Sequence, residues 1–218
     1  MRYHVIDQWN TVASKYPRGS VGNWRITDRI QTEGIYKMQE ENAFYYVPES
    51  INLTVIEEND LTWFTDEPRN MYALAEIGLF RARGHVVVGG LGLGLIHSFL
   101  ILNPRVKSVT TIEIAPELRY LVWPYVRTHL NDELIIGDFY DIMQKLDRAD
   151  TIITDFIFGS QNDKNWQELV DQREFCTKFF PNAQFLEQGY QARMDAEVVR
   201  GKLPSAFGTS YDVVKVVR

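Results

Sequence analysis

The segment HVVVGGLGLGLIHSFL, beginning at His85, does most to limit what this chain can become. An apolar β-branched run breaks into Gly89, Gly90, Gly92 and Gly94, then resumes as an apolar stretch. Glycine takes left-handed backbone angles at no steric cost and lets other atoms come close to the main chain. A strand that ends in such a turn and passes into a helix presents backbone N–H groups to a ligand. A purely structural turn would use the same glycines, so the surroundings must decide.

From His85 onward, short β-branched runs alternate with helix-like segments: HVVV then LIHSFLIL, SVTTIEI then PELRYLVWPYVRTHL, ELII then YDIMQKL, and TIITDFIF then NDKNWQELVDQREFCTKFF. That alternation predicts βαβ units and an α/β fold with a mostly parallel sheet. Pro124 predicts a kink or early end in the second helix. The last amphipathic stretch gathers Trp166, Leu169, Val170, Phe175, Cys176 and Phe179 near one face, with Pro181 as a stop. AQFLEQGY and YDVVKVV are expected to add two strands.

The first 66 residues have a different character. INLTVIEENDLTWFTD is two alternating runs about Glu58, Asn59 and Asp60, a hairpin signal, and FYYVP is expected to add a third strand. We expect a small β-rich module over 1–66, one helix from EPRNMYALAEIGLFRARG, and the ligand-binding domain over 67–218.

A chain of 218 residues can bury a substantial core, and 45% hydrophobic with 24% charged residues suits an ordinary globular protein. A net charge of −6 argues against a surface that neutralises many phosphates, so no strong nucleic-acid binding is expected. Neither a membrane-spanning run nor a signal-peptide core is visible, which points to the cytoplasm. The lone Cys176 rules out an internal disulfide and a cysteine metal cage, and reads as a small core residue. Asn52 in NLT matches a glycosylation acceptor by chance. The histidines His4, His85, His97 and His129 lack ligand spacing, and no metal site is expected; only His97 falls near the glycine turn.

Three ligand classes use such a turn. A triphosphate loop needs Lys and Ser or Thr after its last glycine, and here Leu95 and Ile96 follow Gly94. A dinucleotide fingerprint fails in both registers, because Leu95 or His97 stands where its third glycine belongs. What remains is Gly90, Gly92 and Gly94 as G-x-G-x-G. That pattern resembles the first motif of class I S-adenosylmethionine-dependent methyltransferases, which implies a Rossmann-like, doubly wound sheet and S-adenosylmethionine as cofactor. Glu113 ends the second strand about 20 residues further on, where a carboxylate can accept from both ribose hydroxyls. The resemblance implies that Asp138 accepts from the adenine amino group, that Phe139 packs on the base, and that Gly89 and Ile114 also line the cofactor site. Asp155 ends the fourth strand and completes a row of acids at carboxyl ends of strands.

Within 67–218, MYALAEIGLFRARGHVVVGGLGLGL, IEIAPEL and GDFYDIM are most similar to the spermidine synthase branch, whose members also carry an N-terminal β module. The chain departs from that branch in two places. Phe156, Ile157 and Phe158 follow Asp155 where the branch has a second acid and a proline, and Gly92 stands where it has an aspartate. The first departure removes a carboxylate for a cationic amine.

Methyl transfer from a sulfonium needs mainly alignment of nucleophile, methyl and leaving sulfur. DFIF lacks the prolines of amino-methylating nucleic-acid enzymes, Cys176 lacks the preceding proline of cytosine carbon-5 enzymes, and no Asp-Asn pair exists for a metal-assisted type. Asp155 is the candidate general base, or an anchor for the cofactor amine. Gln188 and Tyr190 are candidates for the acceptor pocket. The expected activity is a methyltransferase acting on a small-molecule or protein acceptor, and the chain is a candidate homo-oligomer. The alternatives are aminopropyl transfer, cofactor cleavage and non-catalytic nucleoside binding.

Overall fold

The computed structural model describes residues 2–38, 43–127, 130, 133–154, 156 and 163–187. Seven strands come first: β1 (Arg2–Val5), β2 (Gly19–Val21), β3 (Trp24–Gln31), β4 (Gly34–Lys37), β5 (Ala43–Val47), β6 (Ile51–Glu58) and β7 (Leu61–Thr65). Helix α1 (Pro68–Ala75) continues into a π-helical turn over Glu76–Arg81, then β8 (Gly84–Gly89), α2 (Leu95–Leu100) and β9 (Val106–Glu113). The remainder is α3 (Leu118–Leu121), α4 (Trp123–Val126), β10 (Glu133–Ile136), α5 (Phe139–Met143), β11 (Thr151–Thr154), α6 (Asp163–Phe179) and β12 (Gln184–Leu186).

The last five strands form one parallel sheet in the order β10-β9-β8-β11-β12. The first of them in sequence is central, and the chain winds outward from it in both directions. This is the doubly wound order, and the crevice where winding reverses lies beside β8. Both faces are covered, as the uninterrupted valines of β8 require. Val86, Val88, Val109, Ile153 and Leu186 face a core shared with α2 and α3, whereas Val87, Ile112, Ile152 and Phe185 face one shared with Phe139, Met143 and Cys176.

Strands β2-β3-β6-β7 form an antiparallel sheet, and β1-β5-β4 a smaller mixed one. The expected hairpin is β6–β7, turning at Asn59 and Asp60 with φ of 48° and 67°, the left-handed pair of a two-residue hairpin turn. The FYYVP strand, β5, pairs with β1 and β4 instead of joining that hairpin. The hairpin's other neighbour is β3, which sequence patterning passes over because WRITDRIQ buries only Ile26 and Gln31. Ile26 and Ile56 join the same core as Val86, Leu93 and Leu118, so the N-terminal sheet packs directly against the glycine-turn side of the parallel sheet.

Pro124 does end the second crossover helix early, leaving the short α3 and α4 with Val122 between them at φ −120°. Among the residues of α6 whose burial is described, Leu169, Gln172 and Cys176 are buried, and Phe179 is exposed against expectation, its ring packed on Phe175 at 5.2 Å. YDVVKVV lies outside the described residues. No helix among the described residues is long and apolar enough to cross a membrane.

Candidate cofactor and acceptor site

The glycine turn follows β8 without a break. Gly90, Gly92 and Gly94 have φ of 87°, 49° and 65°, the left-handed region the sequence demands of them. Gly94 N–H donates to the Leu91 carbonyl at 2.7 Å, and Gly90 N–H donates to Ile112 of β9 at 2.8 Å. Gly89 is constrained differently: a Cβ there would stand 2.8 Å from the rings of both Phe139 and Phe156.

Beside the turn lies a cavity of about 540 Å³, within the range of small-molecule sites. One wall is the turn itself with Glu113 and Ile114, and a second is Asp138, Phe139, Tyr140 and Phe156. Glu113 is 6% exposed, and its Oε2 accepts Leu91 N–H at 2.7 Å while Oε1 accepts Ala115 N–H at 2.8 Å. Burial raises its pKa, opposed by the backbone N–H groups of Ala115, Leu91, Ile114 and Gly92.

Ile114, the next residue, is 69% exposed and offers an apolar surface at the rim. Asp138 caps α5, its Oδ1 accepting from Tyr140 N–H at 2.8 Å and Asp141 N–H at 3.1 Å. Phe139 lines the cavity yet is buried, tilted against Phe156 at 5.2 Å. The predicted residues from Gly90 to Phe139 are thus brought to one crevice. Asp155, Gln188 and Tyr190 lie outside the described residues, as does His129.

His97 is buried at the turn, shares a 2.8 Å hydrogen bond between Nε2 and Thr111 Oγ1, and meets Trp123 edge-on. His85 shares hydrogen bonds with Ser108 and Thr110, and burial holds its pKa down. Burial likewise pushes the Cys176 thiol up to about 12, as expected of a packing residue.

The third wall was invisible to sequence reasoning. It consists of Asn23, Trp24, Glu58, Trp63 and Phe64 from the N-terminal sheet. Trp24 pairs in register with Glu58 across β3 and β6, so the two side chains share a face, and Trp24 lies 5.6 Å from Trp63. With Glu113, Glu117 and Asp138, Glu58 makes four carboxylates around the cavity, and no Lys, Arg or His is among its described lining residues. Aromatic faces and carboxylates together favour a cation and disfavour a polyanion.

No protein-family model matches the chain, and no curated protein matches it. Among solved structures, it is similar to precorrin 8W decarboxylase from Methanobacterium thermoautotrophicum, at 20% identity over 61% of this chain and 70% of that one, with a TM-score of 0.39. Spermidine synthase from Thermotoga maritima gives 15% identity over 70% of this chain, with a TM-score of 0.40, and the chain spans 53% of that protein's length. A putative methyltransferase complexed with SAH gives 15% identity over 60% of this chain and 37% of that one, with a TM-score of 0.41. These are remote likenesses, all at 20% identity or less and with TM-scores of 0.41 or less.

Proposed function

We propose that the chain is an S-adenosylmethionine-dependent transferase, most simply a methyltransferase, with a small acceptor held against the Trp24 and Trp63 wall. The observation that carries this reading is the Glu113 carboxylate joined to the glycine turn at the switch point of a doubly wound sheet, in a cavity lined by acids.

The residues present fit such a cofactor. Glu113 places a carboxylate on the cavity wall for the ribose hydroxyls, Ile114 and Phe139 offer apolar surfaces for a base, and Asp138 Oδ2 is outside the capping bonds. A Cβ built on Gly92 meets nothing within 4 Å, so the turn has open space beside it. When bound, the sulfonium supplies an activated methyl group. The protein's part is then alignment: the turn and Glu113 hold one end, and the N-terminal wall limits where a nucleophile can stand. The four carboxylates favour the sulfonium charge and disfavour acceptors rich in phosphate. Asp155, the next residue in sequence after β11, remains our candidate for proton acceptance.

One observation favours a second reading. Without a basic residue among the described lining residues, the carboxylate of the methionyl moiety lacks a cationic partner, so a decarboxylated donor and aminopropyl transfer suit the same cavity. Calorimetry with S-adenosylmethionine, S-adenosylhomocysteine and decarboxylated S-adenosylmethionine tests both. Binding of the first two supports methyl transfer, preference for the third supports aminopropyl transfer, and failure of all three rejects the reading.

A further inference from the structure

The glycine turn has a conformational problem that its own sequence leaves open. Gly92 and Gly94 flank Leu93 at left-handed φ, and glycine crosses between left- and right-handed basins almost freely. A turn built this way can flip a peptide unit and lose the pattern of N–H groups it presents. Something outside the turn must select one arrangement.

The peptide unit between Leu93 and Gly94 is clamped at both of its polar ends. Its N–H, on Gly94, donates to Leu91 within the turn at 2.7 Å. Its carbonyl, on Leu93, accepts a 2.9 Å hydrogen bond from the hydroxyl of Tyr16, 77 residues away in sequence. Tyr16 is only 4% exposed, its ring packs on Tyr125 of α4 at 5.3 Å, and burial and the nearby Asp66 raise its pKa, so it stays a neutral donor.

Tyr16 is itself held in place. It closes a 3₁₀ turn over Ala13–Lys15, donating its N–H to Ala13, and its own carbonyl accepts from Arg18 at 2.7 Å. Just upstream, Thr11 donates to the buried Asp66 carboxylate at 2.5 Å, and that carboxylate also accepts Thr54 N–H of β6 at 2.6 Å. The N-terminal segment is therefore braced on the N-terminal sheet at one end and on the glycine turn at the other.

We propose that Tyr16 is a positioning residue for the cofactor site: its hydroxyl holds the Leu93–Gly94 peptide in the one orientation in which Leu91 can present its N–H to Glu113. The N-terminal module then does more than wall the cavity. It preorganises the turn, removing an ordering cost that the cofactor would otherwise meet on binding. As a claim about affinity this rests on the S-adenosyl reading above, but as a claim about the turn it does not.

Tyr16→Phe removes one oxygen and leaves the ring. The amides of residues 91–94 in the ligand-free variant should exchange with deuterium about three- to tenfold faster than in the parent, and S-adenosylhomocysteine should bind about three- to tenfold more weakly. Leu169→Ala destabilises α6 and leaves the brace untouched; it should lower the melting temperature without changing exchange in the turn. Unchanged exchange at 91–94 in Tyr16→Phe overturns the proposal, even if its melting temperature falls. In the parent protein, a Gly94 amide that exchanges as freely as an exposed loop overturns it without any variant. If the parent binds no adenosyl ligand, the cofactor reading fails, and exchange alone still decides the role of Tyr16.

Discussion

Glu113 and Leu91 are tied by a 2.7 Å bond from the Leu91 N–H to the Glu113 carboxylate, which makes the end of β9 and the turn after β8 one mechanical unit. With Ala115 N–H on the other oxygen, the side chain is oriented before any ligand arrives. Preorganised acceptors of this kind are where binding energy concentrates.

Replacing Glu113 therefore has two separable consequences. Glu113→Ala leaves two buried N–H groups without an acceptor, at about 1–3 kcal/mol each, and should abolish S-adenosylhomocysteine binding. Glu113→Gln keeps one amide oxygen as acceptor, so its melting temperature should stay closer to the parent while affinity falls about tenfold or more. Calorimetry beside thermal melts reads both, and full affinity in either variant removes Glu113 from the site.

Stability and binding should depend on pH in opposite directions. Burial raises the folded-state pKa of both Glu113 and Asp66. Between the ordinary carboxylate range and the raised values, the native state holds more protons than the unfolded chain, so their contribution is greatest at low pH and declines as pH rises. Binding needs ionised Glu113 to accept from hydroxyls, so affinity declines as pH falls through its raised pKa. Titrating binding downward from neutral pH should show that slope in the parent and lose it in Glu113→Gln.

Two glycines of the turn should respond unequally. Gly94→Ala forces a side chain into φ 65° and sets its Cβ 2.5 Å from Val126, which should cost about 2–4 kcal/mol. Gly92→Ala shares the strained φ, at 49°, but has open space, so about 1 kcal/mol is expected. Denaturant melts of both give the comparison. Equal losses would mean that Val126 does not crowd the turn.

Tryptophan emission reports on the third wall. Ligand binding should change fluorescence through Trp24 and Trp63, which line the cavity 5.6 Å apart. The change should shrink in Trp24→Phe and in Trp63→Phe and nearly vanish in the double variant. A signal that survives intact in the double variant would place the ligand away from the N-terminal sheet.

Asp138 separates capping from ligand contact. Asp138→Ser retains a good N-cap for α5, so its stability should stay within about 0.5 kcal/mol of the parent. Its shorter side chain should nevertheless weaken adenosyl binding severalfold. Unchanged affinity would leave Asp138 as a cap alone.

How much was legible in the chain follows from range. Val86–Val88 are apolar on consecutive positions because both faces of β8 are covered, and a strand of that pattern signals a parallel sheet by itself. The glycines announce a left-handed turn, and Glu113 follows because successive strands of a βαβ unit lie side by side. Asn59 and Asp60 announce the hairpin for the same local reason. Each of these is a short-range rule about backbone angles or neighbouring strands, and such rules survive in one dimension.

The third wall and the brace on the turn are of another kind. Trp24 meets Glu58 only through the β3–β6 register, and β3 carries too few buried apolar residues to declare itself. Tyr16 reaches Leu93 only because Ile26 and Ile56 bury themselves in the same core as Val86 and Leu93. The docking of one sheet on another is set by the summed burial of many residues far apart in the chain, and no single segment encodes it. The amino-acid order alone determined the glycine turn and put Glu113 and Asp138 beside it; the tertiary packing added Glu58 and the aromatic wall and decided what holds the turn still.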